Sequence, residues 1–239
     1  MSETLLSTTV TTLEARPYSE RCRRNFERGE HLLIGVSPGN SYFSADRIAE
    51  LVRWGRDFFA SVDIVLADLH VDAQFLASGH TPEQAMRRAD KEVKATRRRI
   101  HRGMAEAARD GVRAHVLSDF LPDPGYQRLH RAVREALETD PELRAATEGM
   151  AGAFLRSRIT AADGPGADRL AAGVAYIAAE LPFFLDTPSL LGVPSSVTCY
   201  HLELPLTPVL FGRTEGLRAA PAQGYAVVRP ATAPRAAAA

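Results

Sequence analysis

Leu32-Leu33-Ile34-Gly35-Val36-Ser37-Pro38-Gly39-Asn40-Ser41 is the stretch on which the fold turns. An apolar run that breaks into Ser, Pro, Gly and Asn reads as a buried strand entering a tight turn. Beyond it, Ser44-Ala45-Asp46 opens a helix over about 45–60, and Asp63 to Leu69 is a second buried strand. Thr81-Pro82-Glu83 then starts a long helix reaching about Arg109 and stopped at Gly111: a capping Thr, Pro in the first turn, an acid beside it. Arg113 to Phe120 reads as a third strand, Val193 to His201 as a fourth and Tyr225 to Val228 as a fifth. Helices are expected at 125–139 and 141–158, split by Asp140-Pro141, and at Arg169 to Leu181, where Pro182 ends the last one; 161–168 is a loop. Strands alternating with helices predict an α/β fold with a parallel sheet, which binds ligands at the carboxyl ends of its strands. Polar residues 1–28 read as a flexible arm, 29–230 as one catalytic domain, and Ala/Pro-rich 231–239 as a disordered tail.

Composition narrows the function classes. The 239 residues are 45% hydrophobic and 24% charged, as in ordinary folded domains. Lys plus Arg and Asp plus Glu each number 29, so bulk charge does not point to nucleic acid. Cys22 and Cys199 are too few for a disulfide framework and suit a reducing, cytoplasmic setting. Met1 to Arg16 lacks a basic start followed by an apolar run, and the longest apolar stretches, such as Gly173 to Ala179, fall short of the ~20 residues of a membrane span. The seven histidines show no ligand-like cluster, and His31 and His70 read as structural, so no metal or cofactor is expected.

Three features carry chemistry. Gly35-Val36-Ser37-Pro38-Gly39 matches the G-x-S-x-G nucleophile elbow and follows a strand, although Ser and Gly also dominate ordinary turns. An α/β-hydrolase reading has Ser37 too early, with no preceding strand to supply the oxyanion loop; His201 and several carboxylates follow it, with no fixed geometry. Residues 87–102 hold eight basic side chains against Asp90 and Glu92. Arg87, Lys91, Lys94, Arg98 and Arg102 fall on one helical face, while Met86, Ala89, Val93, Ile100 and Met104 lie on another that can dock on the sheet. Charge runs are commonly solvated surface, but a solvated helix interleaves both signs; one sign at this density favours a polyanion. Finally, Tyr176 and Glu180 share a face of an otherwise apolar helix, where a carboxylate is either exposed or held for proton transfer or an ammonium group. Tyr200 ends an apolar strand, where packing is the ordinary role of a tyrosine.

Together these segments resemble the cyclodipeptide synthases. The resemblance runs through Gly29 to Ser44, Asp63 to Asp72, the Arg-rich helix, Ala172-Gly173 through Tyr176 and Glu180, Val193 through Cys199-Tyr200-His201, and Tyr225 to Pro230, in the family's order and spacing. It implies a Rossmann-like fold akin to the catalytic domain of class I aminoacyl-tRNA synthetases. The chain lacks the His-Ile-Gly-His and Lys-Met-Ser-Lys-Ser type signatures of those enzymes. The implied activity is therefore ATP-independent: two aminoacyl-tRNAs per product, joined into a 2,5-diketopiperazine in a ping-pong order, with tailoring enzymes as further partners.

The implied roles fall on matching positions. Ser37 takes the first aminoacyl group as an ester. Tyr176 and Glu180 hold its ammonium group, and Glu180 is also the general base when the second amine is deprotonated to attack. Tyr200 relays a proton during cyclisation, and Asn40 positions the aminoacyl group. Arg87, Lys91, Lys94, Arg97, Arg98, Arg99 and Arg102 face tRNA, with Arg98 and Arg99 foremost. Leu33, Gly35, Val65, Ala67, Leu117, Phe183 and Thr198 line the first side-chain pocket, which favours a hydrophobic amino acid. Met150, Ser157, Arg158 and the segment after Tyr200, starting with His201, line the second. Asn40 with Tyr200 places the chain in the branch that keeps Asn, with His201 where many members carry Gln. The competing readings are a serine hydrolase, which would ignore the basic helix, and an RNA-binding module, which would leave Ser37, Tyr176 and Glu180 unused.

Overall fold

The apolar runs assemble side by side into one six-stranded sheet. A computed structural model describes residues 13–156 and 167–231 of the chain. The strands are β1 (Leu13–Pro17), β2 (His31–Val36), β3 (Ser61–Leu66), β4 (Val112–Val116), β5 (Ser196–Tyr200) and β6 (Gln223–Pro230). Their order across the sheet is β1-β6-β5-β2-β3-β4. All neighbours are parallel except β1, which runs antiparallel to β6 from Leu13↔Pro230 to Pro17↔Ala226. β2 is central and fully flanked, with Leu33 between Asp63 of β3 and Thr198 of β5. A strand covered on both faces needs apolar residues throughout, which is why 32–36 reads as an unbroken run.

The helices are α1 (Glu20–Arg28), α2 (Ala45–Phe58), α3 (Val71–Ala77), α4 (Pro82–Ala107), α5 (Pro124–Thr139), α6 (Pro141–Arg156), α7 (Ala167–Leu191) and α8 (Leu206–Phe211). Leu32, Ile34, Val36, Ile64 and Leu66 pack with Ile48, Val52 and Ile100 of α2 and α4 on one face of the sheet. Leu33 and Val65 point to the other face, against Tyr126 of α5 and Ala179 and Phe183 of α7. The period-2 alternation of the strands thus divides the core in two. α2 starts at the Ser44 cap, whose side chain accepts from the Arg47 N–H. α4 starts at Thr81 with a capping box completed by Gln84. Asp140 separates α5 from α6 and accepts from the Glu142 and Leu143 N–H groups at 3.1 Å each.

Four expectations are corrected. The flexible arm gives way from Leu13 onward to β1 and α1, with Leu13, Cys22 and Asn25 buried. An edge strand and an amphipathic helix each wet one face, and that polarity reads as disorder in sequence; residues 1–12 lie outside the described residues. Pro182 does not end its helix. α7 runs on to Leu191, and its break falls at Asp186 (φ −158°, ψ 60°). The Tyr126 hydroxyl donates to the Ala179 carbonyl at 2.9 Å, tying the turn before the proline to α5, and the Thr187 N–H after the break goes to Gln223 Oε1 at 3.0 Å. Third, Arg113 to Phe120 is strand only to Val116, where a 3-10 turn over Leu117–Phe120 takes over. Finally, Met86 is 60% exposed; Ala85 takes the buried place, and α4 packs chiefly on α2 and α3. There Gly103 permits a close crossing: a Cβ would stand 2.7 Å from the Ala45 carbonyl oxygen.

α7 is long and apolar enough to cross a membrane by length and composition, yet Tyr176 to Ala179 and Leu181 to Phe183 are buried in the protein interior. Its interior position explains its composition: it packs against α3, α5 and α6. The tail beyond Ala231, most of the expected 161–168 loop, and Ser157 and Arg158 lie outside the described residues.

Candidate active site

Ser37 follows the carboxyl end of β2, at the sheet edge where a parallel α/β fold gathers ligands. The turn after it requires Gly39 at φ +73°, and the Asn40 N–H returns to the Ser37 carbonyl at 3.3 Å. Two chambers meet at this serine. One spans about 560 Å³, the solvent at its mouth included, and is walled by Leu33, Val65, Ala67, Leu117, Phe183 and Thr198. Gly35 also faces it; a Cβ there would meet open space, so the glycine leaves the chamber wide. The other holds about 1060 Å³, partly open to solvent, and is lined by Asn40, Gln74, Met150, Gly173, Tyr176 and Ile177. Ser37, Met150, Glu180 and Tyr200 line both. At the second chamber α6 and α7 touch closely: a Cβ on Gly173 would be 2.9 Å from that of Ala151.

The polar groups around Ser37 come from three elements. Tyr176 and Glu180 stand one turn apart on α7, and Tyr200 ends β5. Asn40 is held by its own turn. Its Oδ1 accepts from the Tyr42 N–H at 3.0 Å, which can only donate, so its Nδ2 must be the group donating to the Tyr200 hydroxyl at 3.0 Å. The tyrosine oxygen therefore accepts from Asn40 and keeps its own proton for another partner. Burial foremost, then the Glu180 charge, pushes the Tyr200 hydroxyl up to about 12; Asn40 and Ser37 oppose the shift. Tyr200 is thus a proton donor at neutral pH.

Glu180 shows the opposite poise. Its Oε1 and the Tyr176 hydroxyl are shielded from water. They lie close enough to shift each other's protonation, yet neither closes a hydrogen bond of good geometry. Burial pushes the Glu180 carboxyl up to about 7, with Tyr176 opposing, and burial followed by the Glu180 charge raises Tyr176 well above the usual phenol range. A shielded carboxylate with incomplete partners in a chamber wall is suited to an incoming cation or proton.

The sequence-selected residues divide accordingly. Ser37, Tyr176, Glu180, Tyr200 and Asn40 converge on one point, and the seven expected first-pocket residues share one wall. Met150 reaches both chambers rather than the second alone. His201 lines neither chamber. It stacks on Tyr42 with ring centroids 4.0 Å apart, and Arg47 lies over the Tyr42 ring at 5.4 Å. Its ring also lies against that of Tyr200, with centroids 4.3 Å apart, so His201 touches the site through Tyr200 without lining a chamber.

Sequence reasoning missed Gln74, on the unforeseen helix α3, and Gln223. The Gln223 Oε1 takes the Thr187 N–H, so its Nε2 donates to Thr198 Oγ1 at 3.0 Å and fixes a first-chamber wall. Nothing local to 223 signals that contact. Among the described residues, no group of three or more His, Cys, Asp or Glu side chains is placed to hold a metal.

The cationic helix α4 presents Lys91, Lys94, Arg97, Arg98 and Arg102 to solvent. Arg87 is exposed too, paired with Glu83. Arg99 differs: its side chain is 24% exposed and its Nη2 is 2.9 Å from Glu92 Oε1. That carboxylate oxygen also accepts the Gly39 N–H at 3.0 Å.

Comparison with known proteins places this arrangement. The family model for cyclodipeptide synthase matches residues 13–230. The cyclo(L-tyrosyl-L-tyrosyl) synthase of Mycobacterium tuberculosis is 39% identical over 221 residues, covering 92% of this chain and 76% of that protein. The cyclo(L-leucyl-L-phenylalanyl) synthase of Streptomyces noursei is 38% identical over 213 residues, covering 88% and 89%. A crystal structure of a cyclo(L-leucyl-L-phenylalanyl) synthase superposes with a TM-score of 0.85 at 36% identity, covering 92% of this chain and 99% of that one. A Mycobacterium tuberculosis structure, described as demonstrating that cyclodipeptide synthetases are related to type I tRNA-synthetases, superposes at 0.84 with 37% identity, covering 92% and 94%. The match spans both chambers, the serine turn and the cationic helix, and this chain belongs to the cyclodipeptide synthase family.

Proposed function

We propose that the enzyme joins two aminoacyl groups, each delivered as a tRNA ester, through an ester on Ser37. The observation that carries this reading is the convergence of Ser37, Tyr176, Glu180 and Tyr200 where two chambers meet. One reaction centre with two side-chain compartments suits a reaction that condenses two amino acids.

In the first step Ser37 Oγ attacks the ester carbonyl. The Oγ–C bond forms, the bond to the tRNA oxygen breaks, and the tRNA hydroxyl departs with the serine proton. The ammonium of the held residue lies against Glu180 and the Tyr176 hydroxyl. Glu180, poised near 7, takes a proton from an attacking ammonium, which frees the amine to displace an ester oxygen. Each of two such displacements forms one C–N bond and breaks one C–O bond. The departing oxygen takes a proton, and Tyr200, whose hydroxyl proton is left free by Asn40, can deliver it. Two tRNA esters thus become one diketopiperazine and two free tRNAs, with Ser37 restored. The energy comes from exchanging esters for amides, so ATP is not required.

The first chamber takes an apolar side chain, since Leu33, Val65, Ala67, Leu117 and Phe183 offer it little polarity. The exposed side of α4 receives tRNA phosphates, with Arg98 turned outward. Charged tRNA as substrate places the work in the cytoplasm. A serine hydrolase would leave the exposed cationic face of α4 without a role.

The test is mass spectrometry of medium from a bacterial host expressing the chain, beside Ser37→Ala, followed by purified protein with a panel of aminoacyl-tRNAs. A diketopiperazine from the intact chain and none from the variant is the expected result. Product from Ser37→Ala would overturn the acyl-enzyme, and no product with any charged tRNA would overturn the reaction.

A further inference from the structure

The cationic helix contains a carboxylate that faces the nucleophile turn. Glu92, Thr96 and Arg99 are spaced i, i+4, i+7 and so share a face of α4, distinct from the outward stripe of Lys91, Lys94, Arg98 and Arg102. Three donors converge on Glu92 Oε1: Arg99 Nη2 at 2.9 Å, the Thr96 hydroxyl at 3.4 Å, and the Gly39 N–H at 3.0 Å. Arg99 is itself braced by Thr96 Oγ1 at 2.6 Å. A carboxylate on a tRNA-facing helix opposes phosphate binding, and an exposed helix pair stabilises by only ~0.5 kcal/mol. Neither effect accounts for aiming the oxygen at a backbone N–H across 53 residues of sequence.

We propose that Glu92 is a positioning residue for the acyl-transfer step: braced by Arg99 and Thr96, it grips the Gly39 N–H and thereby fixes the turn that aims Ser37 and Asn40. Gly39 is the point where such a grip is effective. It sits two residues after Ser37 in the left-handed region at φ +73°, and the Asn40 beside it orients Tyr200. Small displacements of a nucleophile cost rate steeply, up to ~100-fold for about 1 Å. Arg99 in this arrangement serves the turn through Glu92, while Arg98 remains turned to solvent.

The inference rests on Ser37 being the acylated residue, and three variants test it. Glu92→Gln keeps an acceptor of the same length, Glu92→Asp keeps the charge but is too short to hold Gly39, and Glu92→Ala keeps neither. Single-turnover acylation of Ser37 at saturating aminoacyl-tRNA is expected to fall roughly 10- to 100-fold in the Asp and Ala variants and less than about threefold in the Gln variant. Their affinity for tRNA should hold, or tighten where the negative charge is removed. Amide exchange in peptides spanning Gly39 should accelerate in the Asp and Ala variants alone. Wild-type acylation rates in both of these variants, or a Gln variant as slow as Ala, would overturn the proposal. If wild-type protein itself forms no Ser37 ester, the parent reading fails, and the exchange rates at Gly39 still decide whether Glu92 holds the turn.

Discussion

Two shielded carboxylates lie at different ends of the central strands and are treated in opposite ways. Asp63, toward the amino ends, is fully buried but satisfied: Arg113 donates to it at 3.1 and 2.8 Å and His115 Nε2 lies at 3.1 Å. His31 Nε2 is 3.6 Å away, and its Nδ1 meets Ser196 at 2.7 Å. Burial alone would raise the Asp63 pKa, but the hydrogen bonds from His115 and Arg113, with the His31 ring close by, outweigh burial and hold the carboxyl far below its usual range. Glu180, at the carboxyl ends, has only Tyr176 to oppose burial, and its pKa rises to about 7. One acid is locked in its charged form by the fold, and the other is left able to exchange a proton. The difference separates a residue that ties strands together from one that the proposed reaction can use.

The largest effect should come from neutralising the second acid. Glu180→Gln is expected to cut diketopiperazine formation by ~10²- to 10⁴-fold, the usual contribution of a positioned base. It should also stabilise the protein. A carboxyl whose folded pKa exceeds its unfolded value binds the proton better when folded, so its ionisation disfavours the fold increasingly as pH rises from about 4.5 to about 7. At pH 8 the variant should gain at most about 3 kcal/mol, and the gain should vanish below pH 4.5, as read by urea melts across pH. A variant less stable than wild type at pH 8 would show that Glu180 is a structural partner, and the contrast with Asp63 would collapse.

The same substitution at the first acid should invert the outcome. Asp63→Asn leaves Arg113 and His115 without their charged partner and should cost ~3–5 kcal/mol at pH 7, with turnover per folded molecule little changed. The lowered pKa of Asp63 means that its contribution is present above the unfolded value near 3.8 and is lost only as pH falls below it. Wild type and variant should therefore converge in strong acid. If turnover fell in step with Glu180→Gln at a temperature where the variant stays folded, the division between the two ends of the strands would be wrong.

The contrast also marks what the sequence could say. The central strands were legible because a strand buried on both faces leaves an unbroken apolar run, as at 32–36, and α4 because Thr81 and Pro82 announce its start. Ser37 stood out by its G-x-S-x-G turn after a strand, and Tyr176 and Glu180 because polar residues on an apolar helix are costly and so informative, while their roles came only from the family resemblance. β1 and α1 were misread because one wetted face dilutes the apolar signal below that of a loop. Pro182 misled because local propensity predicts a stop, while packing around Ala179 and Phe183 sustains the helix. Asp63 looked like an ordinary strand residue: its partners lie on two other strands, and only the register at Asp63↔Arg113 brings them together. Glu92 read merely as a break in a basic run, because its Gly39 contact depends on where α4 passes the turn.

A smaller effect belongs to the link between Asn40 and Tyr200. Asn40→Ala removes one hydrogen bond to the tyrosine oxygen, worth ~1 kcal/mol, so turnover should fall about five- to tenfold while aminoacyl-tRNA affinity holds. Burial keeps Tyr200 protonated in either case, and the alkaline limb of the rate profile should stay above pH 10. A fall in affinity with unchanged turnover would move Asn40 from proton placement to substrate grip.

The smallest effect separates the two arginines that the sequence pairs. Arg98 faces solvent, and Arg99 is folded onto Glu92. Removing a phosphate contact reduces the slope of log affinity against log salt by roughly 0.7–0.9. Arg98→Ala should show that change in slope with saturated turnover nearly intact. Arg99→Ala should leave most of the slope and slow the saturated acylation step, because it unbraces the carboxylate that holds Gly39. The satisfied and unsatisfied acids thus have a counterpart on α4, where one cation is spent inside the fold and its neighbour is left for the ligand. Equal slopes and equal turnover for the two variants would erase that distinction and assign both arginines to tRNA alone.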